Sequence, residues 1–216
     1  MQTRIWPATV LVLMLSATAA EAQRTWDVAG SAGLFTSHVD TDDSIGYVDD
    51  WDHTAQGAVV LGRYLSRHLK FELEASTTTG GVRYASTAVP LPDVPYPYPL
   101  FSEVRTAVRS LSGVVAWQFR SNEWVHPFVL AGLSGDWDDV EVHVPPQSYR
   151  SDPRVPSIPI SDGATESATT PHLRGVFGAG AKLYFTEQAF IRTDGRLTWS
   201  PDRQNLSFRA GVGMDF

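Results

Sequence analysis

The sequence contains no cysteine, which excludes disulfides and thiolate chemistry and leaves stability to packing and to the backbone hydrogen-bond ladder. It has no cluster of Lys and Arg. Its 17 basic residues against 24 acidic ones give a formal net charge of −7, a balance that argues against a nucleic-acid surface, which needs a basic patch. Beyond residue 22 no apolar run approaches the roughly 20 residues of a spanning helix, so only a closed barrel could carry this chain across a bilayer. A Gly-rich phosphate loop, an HExxH signature and a Cys/His zinc pattern are also missing. No catalytic residue, no metal site and no cofactor is therefore expected.

The amino terminus reads as that of an exported chain. Arg4 precedes an apolar stretch from Ala8 to Ala20, and Ala20, Glu21 and Ala22 form a small-x-small cleavage site before Gln23. Residues 1–22 are expected to be a signal peptide and residues 23–216 a single domain. Cleavage would remove Arg4 and Glu21, one charge of each sign, so the mature chain would keep its net charge of −7.

From Arg24 onward the chain alternates apolar and polar residues with the period of two that strands impose. Eight such segments are predicted: Thr25–Thr36, Thr54–Leu65, Leu69–Tyr84, Val104–Phe119, Trp124–Val142, Pro171–Phe185, Ala189–Ser200 and Leu206–Phe216. Short turns at Ser66–His68, Arg120–Glu123 and Thr186–Gln188 alternate with longer polar or Pro-rich loops, the rhythm of an up-and-down barrel. In the third segment Leu69, Phe71, Leu73 and Ala75 oppose Lys70, Glu72, Glu74 and Ser76. In the second, Ala58, Val60, Gly62 and Tyr64 are assigned outward, with Gln56, Val59 and Arg63 inward. Arg105 and Arg109 break the pattern in the upper part of the fourth, and that part is read as projecting above the membrane or bulged.

A soluble barrel would show the same alternation with its faces exchanged. The membrane reading is favoured by aromatic residues at the strand ends, namely Trp26, Tyr64, Trp117, Phe119, Phe185, Trp199 and Phe216, and by glycines and charges of both signs on the polar face. An eight-stranded barrel has an interior just wide enough for its own side chains. Arg63, Glu72, Glu74, Lys182, Arg192, Asp194, Arg196 and Arg209 are accordingly expected to pair in a plugged lumen, since buried charges are tolerated only when paired.

The run from Gly57 to Leu65 leading into Phe71-Glu72-Leu73-Glu74, the Pro127-Phe128-Val129 start of the fifth segment, Gly178-Ala179-Gly180, and the terminal Gly211-Val212-Gly213-Met214-Asp215-Phe216 together resemble the OmpA/OmpX-type outer-membrane β-barrel domain family. The resemblance implies an all-β, eight-stranded antiparallel transmembrane barrel in the bacterial outer membrane, with short periplasmic turns and long outer loops. It implies Phe216 as an insertion signal read by the barrel-assembly machinery, and outer-membrane lipid and lipopolysaccharide as surroundings. It says little of activity, because the family includes structural proteins, adhesins, resistance factors and a few lipid-modifying enzymes.

External ligands are expected at loops 37–53, 86–102 and 143–170. The first carries Asp40, Asp42, Asp43, Asp49, Asp50 and Asp52, whose spacing does not match a calcium-binding loop. The second alternates Pro and Tyr through Tyr98, a stiff extended pattern. The histidines include His172, near Ser167 and Thr170, but no spacing rule makes these a nucleophile and base. The expected role is structural or in surface interaction, as envelope integrity or adhesion, and not enzymatic. The alternatives are an OmpW-like conduit or binding barrel for an apolar molecule, a lipid A-modifying enzyme, or a soluble lipocalin-like binder.

Overall fold

A computed structural model describes residues 25–39, 46–47, 51–91, 97–119, 122, 124–149, 157–201 and 203–216. Among the described residues the strands are β1 (Trp26–Val39), β2 (Gly46–Tyr47), β3 (Trp51–Tyr64), β4 (Leu69–Thr78), β5 (Gly81–Val89), β6 (Tyr98–Gln118), β7 (Val125–Val144), β8 (Gln147–Tyr149), β9 (Ile158–Ser161), β10 (Ala164–Tyr184), β11 (Ala189–Ser200) and β12 (Arg203–Asp215). All ladders are antiparallel, and the order β1-β3-β4-β6-β7-β10-β11-β12 closes on itself because β12 pairs with β1 from Asp27↔Asp215 to Val39↔Arg203. The result is a closed barrel of eight staves. Closure satisfies the main chain without water, which is what lets a sheet live in lipid.

One expected stave is broken. The segment Leu69–Tyr84 divides at Gly80, whose φ of 86° suits glycine, so that β4 ends and β5 resumes against β6 from Gly81↔Thr106 to Val89↔Tyr98. The loops 86–102 and 143–170 are also largely strand. β5 and β6 extend toward each other as a hairpin, β7 runs on to Val144, and β10 begins at Ala164 and pairs with β7 without a shift from Ala164↔Val144 to Leu183↔Val125. The reason lies in composition: the Thr and Val of these stretches suit a pleated strand as well as those of the apolar belt do, and polarity alone does not end a strand.

Where β7 stops at Pro145 and Pro146, which lack the N–H for a ladder, the side chain of Gln147 takes over. Its amide nitrogen donates to the Phe101 carbonyl (2.6 Å) and its amide oxygen accepts from the Phe101 N–H (3.1 Å).

Exposure follows the alternation. Along β4, Lys70, Glu72 and Glu74 are buried while Phe71, Leu73 and Ala75 face out. Lipid contact explains how Leu34, Leu173, Phe208 and Val212 lie more than half exposed while Lys182 and Glu72 are 0% exposed. A small apolar cluster of Val114, Ala116, Phe128, Leu130 and Val176 fills one side of the interior.

The second predicted segment is corrected in its faces. In β3, Ala58, Val60 and Gly62 point inward and Val59, Leu61 and Arg63 point out. The run Ala58-Val59-Val60-Leu61 is apolar on both faces, so period two carried no signal there. Tyr64 faces the lumen and leaves the aromatic girdle.

Candidate functional site

The lumen is an ionic column. Among the described residues, seven carboxylates and eight Lys or Arg side chains are buried: Asp27, Glu72, Glu74, Asp136, Asp138, Asp194 and Asp215 against Lys70, Arg83, Arg174, Lys182, Arg192, Arg196, Arg203 and Arg209. At the periplasmic end, Lys182 lies over the Phe190 ring (3.8 Å) and donates to Asp27, to the Tyr64 hydroxyl (2.9 Å) and to Asp215 (3.0 Å), and Tyr184 donates to Asp215. Lys70 ties this floor to the next layer by contacting both Asp27 (2.6 Å) and Glu72 (2.5 Å).

In the middle, Arg192 grips Glu72 with two parallel bonds (2.9 and 3.0 Å), and Arg209 grips Glu74 the same way (2.7 and 3.0 Å). Asp194 accepts from Arg196 and Arg209 (both 2.7 Å), and Arg196 also meets Glu74 at 2.7 Å. Such forked pairs combine charge with fixed geometry and suit a dry interior. Above them, Ser112 donates to Ser134, Ser134 to Asp136, and Arg174 to Asp136 (2.8 Å) and Asp138 (2.6 Å). Arg203 closes the outer end on Asp138 and the Ser37 hydroxyl (2.7 Å each).

Seven of the eight side chains expected in this network belong to it: Glu72, Glu74, Lys182, Arg192, Asp194, Arg196 and Arg209. Arg63 does not. Its guanidinium carbon lies 5.4 Å from the Trp26 ring on the outer face. Asp27, Lys70, Asp136, Asp138, Arg174 and Asp215 were legible as polar-face residues of their segments but not as partners. Tyr64 was lost with the β3 faces. Arg203 lies between the predicted segments Ala189–Ser200 and Leu206–Phe216, yet β12 starts with it. Phe216 is outward at the periplasmic rim, its carbonyl accepting from the Trp26 N–H (3.0 Å) and its N–H donating to the Trp26 carbonyl (2.8 Å).

Among the long loops, Asp40, Asp42, Asp43, Asp49 and Asp50 lie outside the described residues, as do residues 1–22, the expected signal peptide. His172 is 3.8 Å from Asp138 at the top of the ionic column.

A second region stands above the apolar belt. The last outward apolar row of the tall side is Leu111, Gly135 and Leu173, mutually in register, with Trp137 one row higher. Above it the outward residues of β6, β7 and β10 become Arg109, Arg105, Asp139, Glu141, Thr169, Ser167 and Thr165. Arg109 pairs with Asp139 at 2.9 Å and Arg105 with Glu103 at 2.8 Å, which accounts for the break in the fourth segment. The Thr169 hydroxyl and the Arg109 guanidinium hold the Asp139 carboxyl below the usual range.

The opposite side is short, because β11 ends at Ser200 and its ladder with β10 starts only at Gly175↔Trp199. Residues Ala164–Arg174 of β10 therefore pair with β7 on one edge and, among the described residues, with no strand on the other. The Tyr184 N–H bonds toward the β7 side, to the Trp124 carbonyl, and the register is unbroken, so even-numbered residues of β10 bond β7. The main-chain groups of Thr165, Ser167 and Thr169 consequently face the open edge. Pro171 sits at the same parity, where its missing N–H costs no ladder bond.

A closed sheet with an oily exterior, aromatic rims and an ionic interior defines an integral β-barrel protein of the bacterial outer membrane. The family model described as outer membrane protein beta-barrel domain matches residues 8–216, and the chain belongs to that family. Neisserial surface protein A is similar in fold, with a TM-score of 0.56 and 11% identity over 88% of this chain and 97% of that one. Ail of Yersinia pestis, solved in complex with the heparin analogue sucrose octasulfate, shares 16% identity over 89% of this chain and 99% of its own, with a TM-score of 0.47. The N-terminal β-barrel domain of Pseudomonas aeruginosa OprF gives 16% identity, 88% and 97% coverage and a TM-score of 0.44. No curated protein matches the sequence.

Proposed function

We propose that the protein is a surface-interaction barrel in which the ionic lumen is scaffold and the open edge of β10 captures an extended segment of an external protein by strand addition. The observation that carries this reading is the one-sided ladder of Ala164–Arg174, roughly 35 Å of strand at about 3.3 Å per residue, of which the part from Ala164 to Thr170 stands above the apolar belt. An unpaired edge is a template for another strand. A second copy is a poorer occupant, because two barrels in one membrane stand with parallel axes and would bring their β10 edges together in the less stable parallel sense. The density of ion pairs in the lumen speaks against the conduit reading, which needs an apolar upper interior. In the same reading, outer-membrane lipid and lipopolysaccharide surround the belt, and Phe216 serves the assembly machinery.

The test uses full-length protein in nanodiscs and a fluorescent peptide of alternating Thr and Val, followed by anisotropy. Ser167→Pro removes one donor from the open edge and no bond to β7, and is expected to weaken binding about tenfold or more with the barrel intact. Ala168→Pro instead removes a bond to β7 and is the control for local unfolding. Equal binding by wild type and Ser167→Pro would sink the proposal, and dimerisation without peptide binding would point to a second copy instead.

A further inference from the structure

Arg63 is at odds with its surroundings. It lies on the lipid-facing side of β3, in register with Trp26 on one neighbour and Phe71 on the other, with Leu61 and Leu65 before and after it on the same face. All four neighbours are apolar and exposed on that face. The nearest charged groups of the floor cluster, Asp27 and Lys70, belong to the lumen side and are engaged with each other. No carboxylate among the described residues pairs with Arg63. Its guanidinium carbon lies over the Trp26 indole, 5.4 Å from the ring centroid, a cation–π contact that supplies no hydrogen-bond acceptor to its N–H donors.

Height in the bilayer is fixed by the neighbours. Trp26 belongs to the periplasmic aromatic rim with Trp117, Phe119, Trp124, Phe185 and Phe216, the level at which lipid headgroups begin. A cation there, surrounded by hydrocarbon and aromatic rings, is stable only if its donors reach an anion at the interface. Arg67, exposed in the turn between β3 and β4, places a second positive charge at the same rim. We infer that Arg63, held over the Trp26 ring, binds the phosphate of an anionic phospholipid in the periplasmic leaflet. The forked guanidinium matches two phosphate oxygens, and the acyl chains of that lipid lie along Leu61 and Phe71.

The experiment is native mass spectrometry of the full chain released from nanodiscs containing equal parts phosphatidylglycerol and phosphatidylcholine. Wild type is expected to retain phosphatidylglycerol in preference to phosphatidylcholine, Arg63→Gln to lose about tenfold of that preference, and Arg63→Lys to keep part of it. Heat-modifiable migration on gels checks that each variant is folded. Unchanged retention by folded Arg63→Gln would overturn the inference. So would inorganic phosphate displacing phosphatidylglycerol at low millimolar concentration, because the site would then be one for free phosphate and not for a lipid.

Discussion

The lumen and the protruding wall are both polar, but they handle charge in opposite ways. In the lumen Arg174, Arg192, Arg196 and Arg209 are each shared among carboxylates and almost nothing is exposed: Arg192, Glu72 and Asp194 lie at 1%, 0% and 5%. On the wall, Arg105 and Arg109 form single pairs with side chains about 60% exposed, and the hydroxyls of Thr165 and Thr169 bond to neighbouring side chains in the open. The same residue types thus act as structural filler in one place and as solvated surface in the other. The difference teaches that polarity alone does not separate the two regions. Unpaired main chain does, and among the described residues it occurs where one side of the barrel outgrows the other.

The comparison breaks most visibly if the lumen tolerates loss of one cation. Arg192→Met leaves Glu72 and Asp194 short of their partner in a dry interior and is expected to destabilise the barrel by about 3–5 kcal/mol. Urea unfolding in detergent micelles measures it, and a loss below about 1 kcal/mol would mean that the lumen is well hydrated.

A smaller effect tests how tightly the interior closes. Gly33, in the β1–β12 seam, would place a Cβ 2.0 Å from the Phe208 carbonyl oxygen, so the strands meet there too closely for any side chain. Gly33→Ala is expected to cost about 1–3 kcal/mol through forced separation of the two strands, read from the same unfolding curve. The smallest effect belongs to the wall: Arg109→Ala removes the pair with Asp139 and should cost no more than about 0.5 kcal/mol, less still at high salt. A clear drop there would erase the contrast between the two regions.

Much of the fold was legible in the sequence because most staves are apolar on one face only. In β4, β11 and β12 the alternation assigned each side chain to its face, and from β4, β10, β11 and β12 came the seven lumen charges correctly placed. β3 failed because Val59 and Leu61 face lipid while Ala58 and Val60 fill the interior, so a one-residue slip looked equally good. That slip put Arg63 in the lumen and Tyr64 in the girdle. The height of the wall was missed for a different reason. A strand paired above the membrane can be polar on both faces, and the stretch from Ala164 to Thr170 then looks like a loop.

The sequence by itself determined a barrel, its number of staves, its oily exterior and seven of the eight charges expected within, because period two and the bilayer together narrow the arrangement. Only the tertiary structure decided which charges meet, that Arg63 faces lipid beside Trp26, and that β10 rises alone on one edge. Those depend on strand register across staves distant in sequence, such as Glu72 with Arg192, and on the unequal lengths of neighbours, neither of which local alternation encodes.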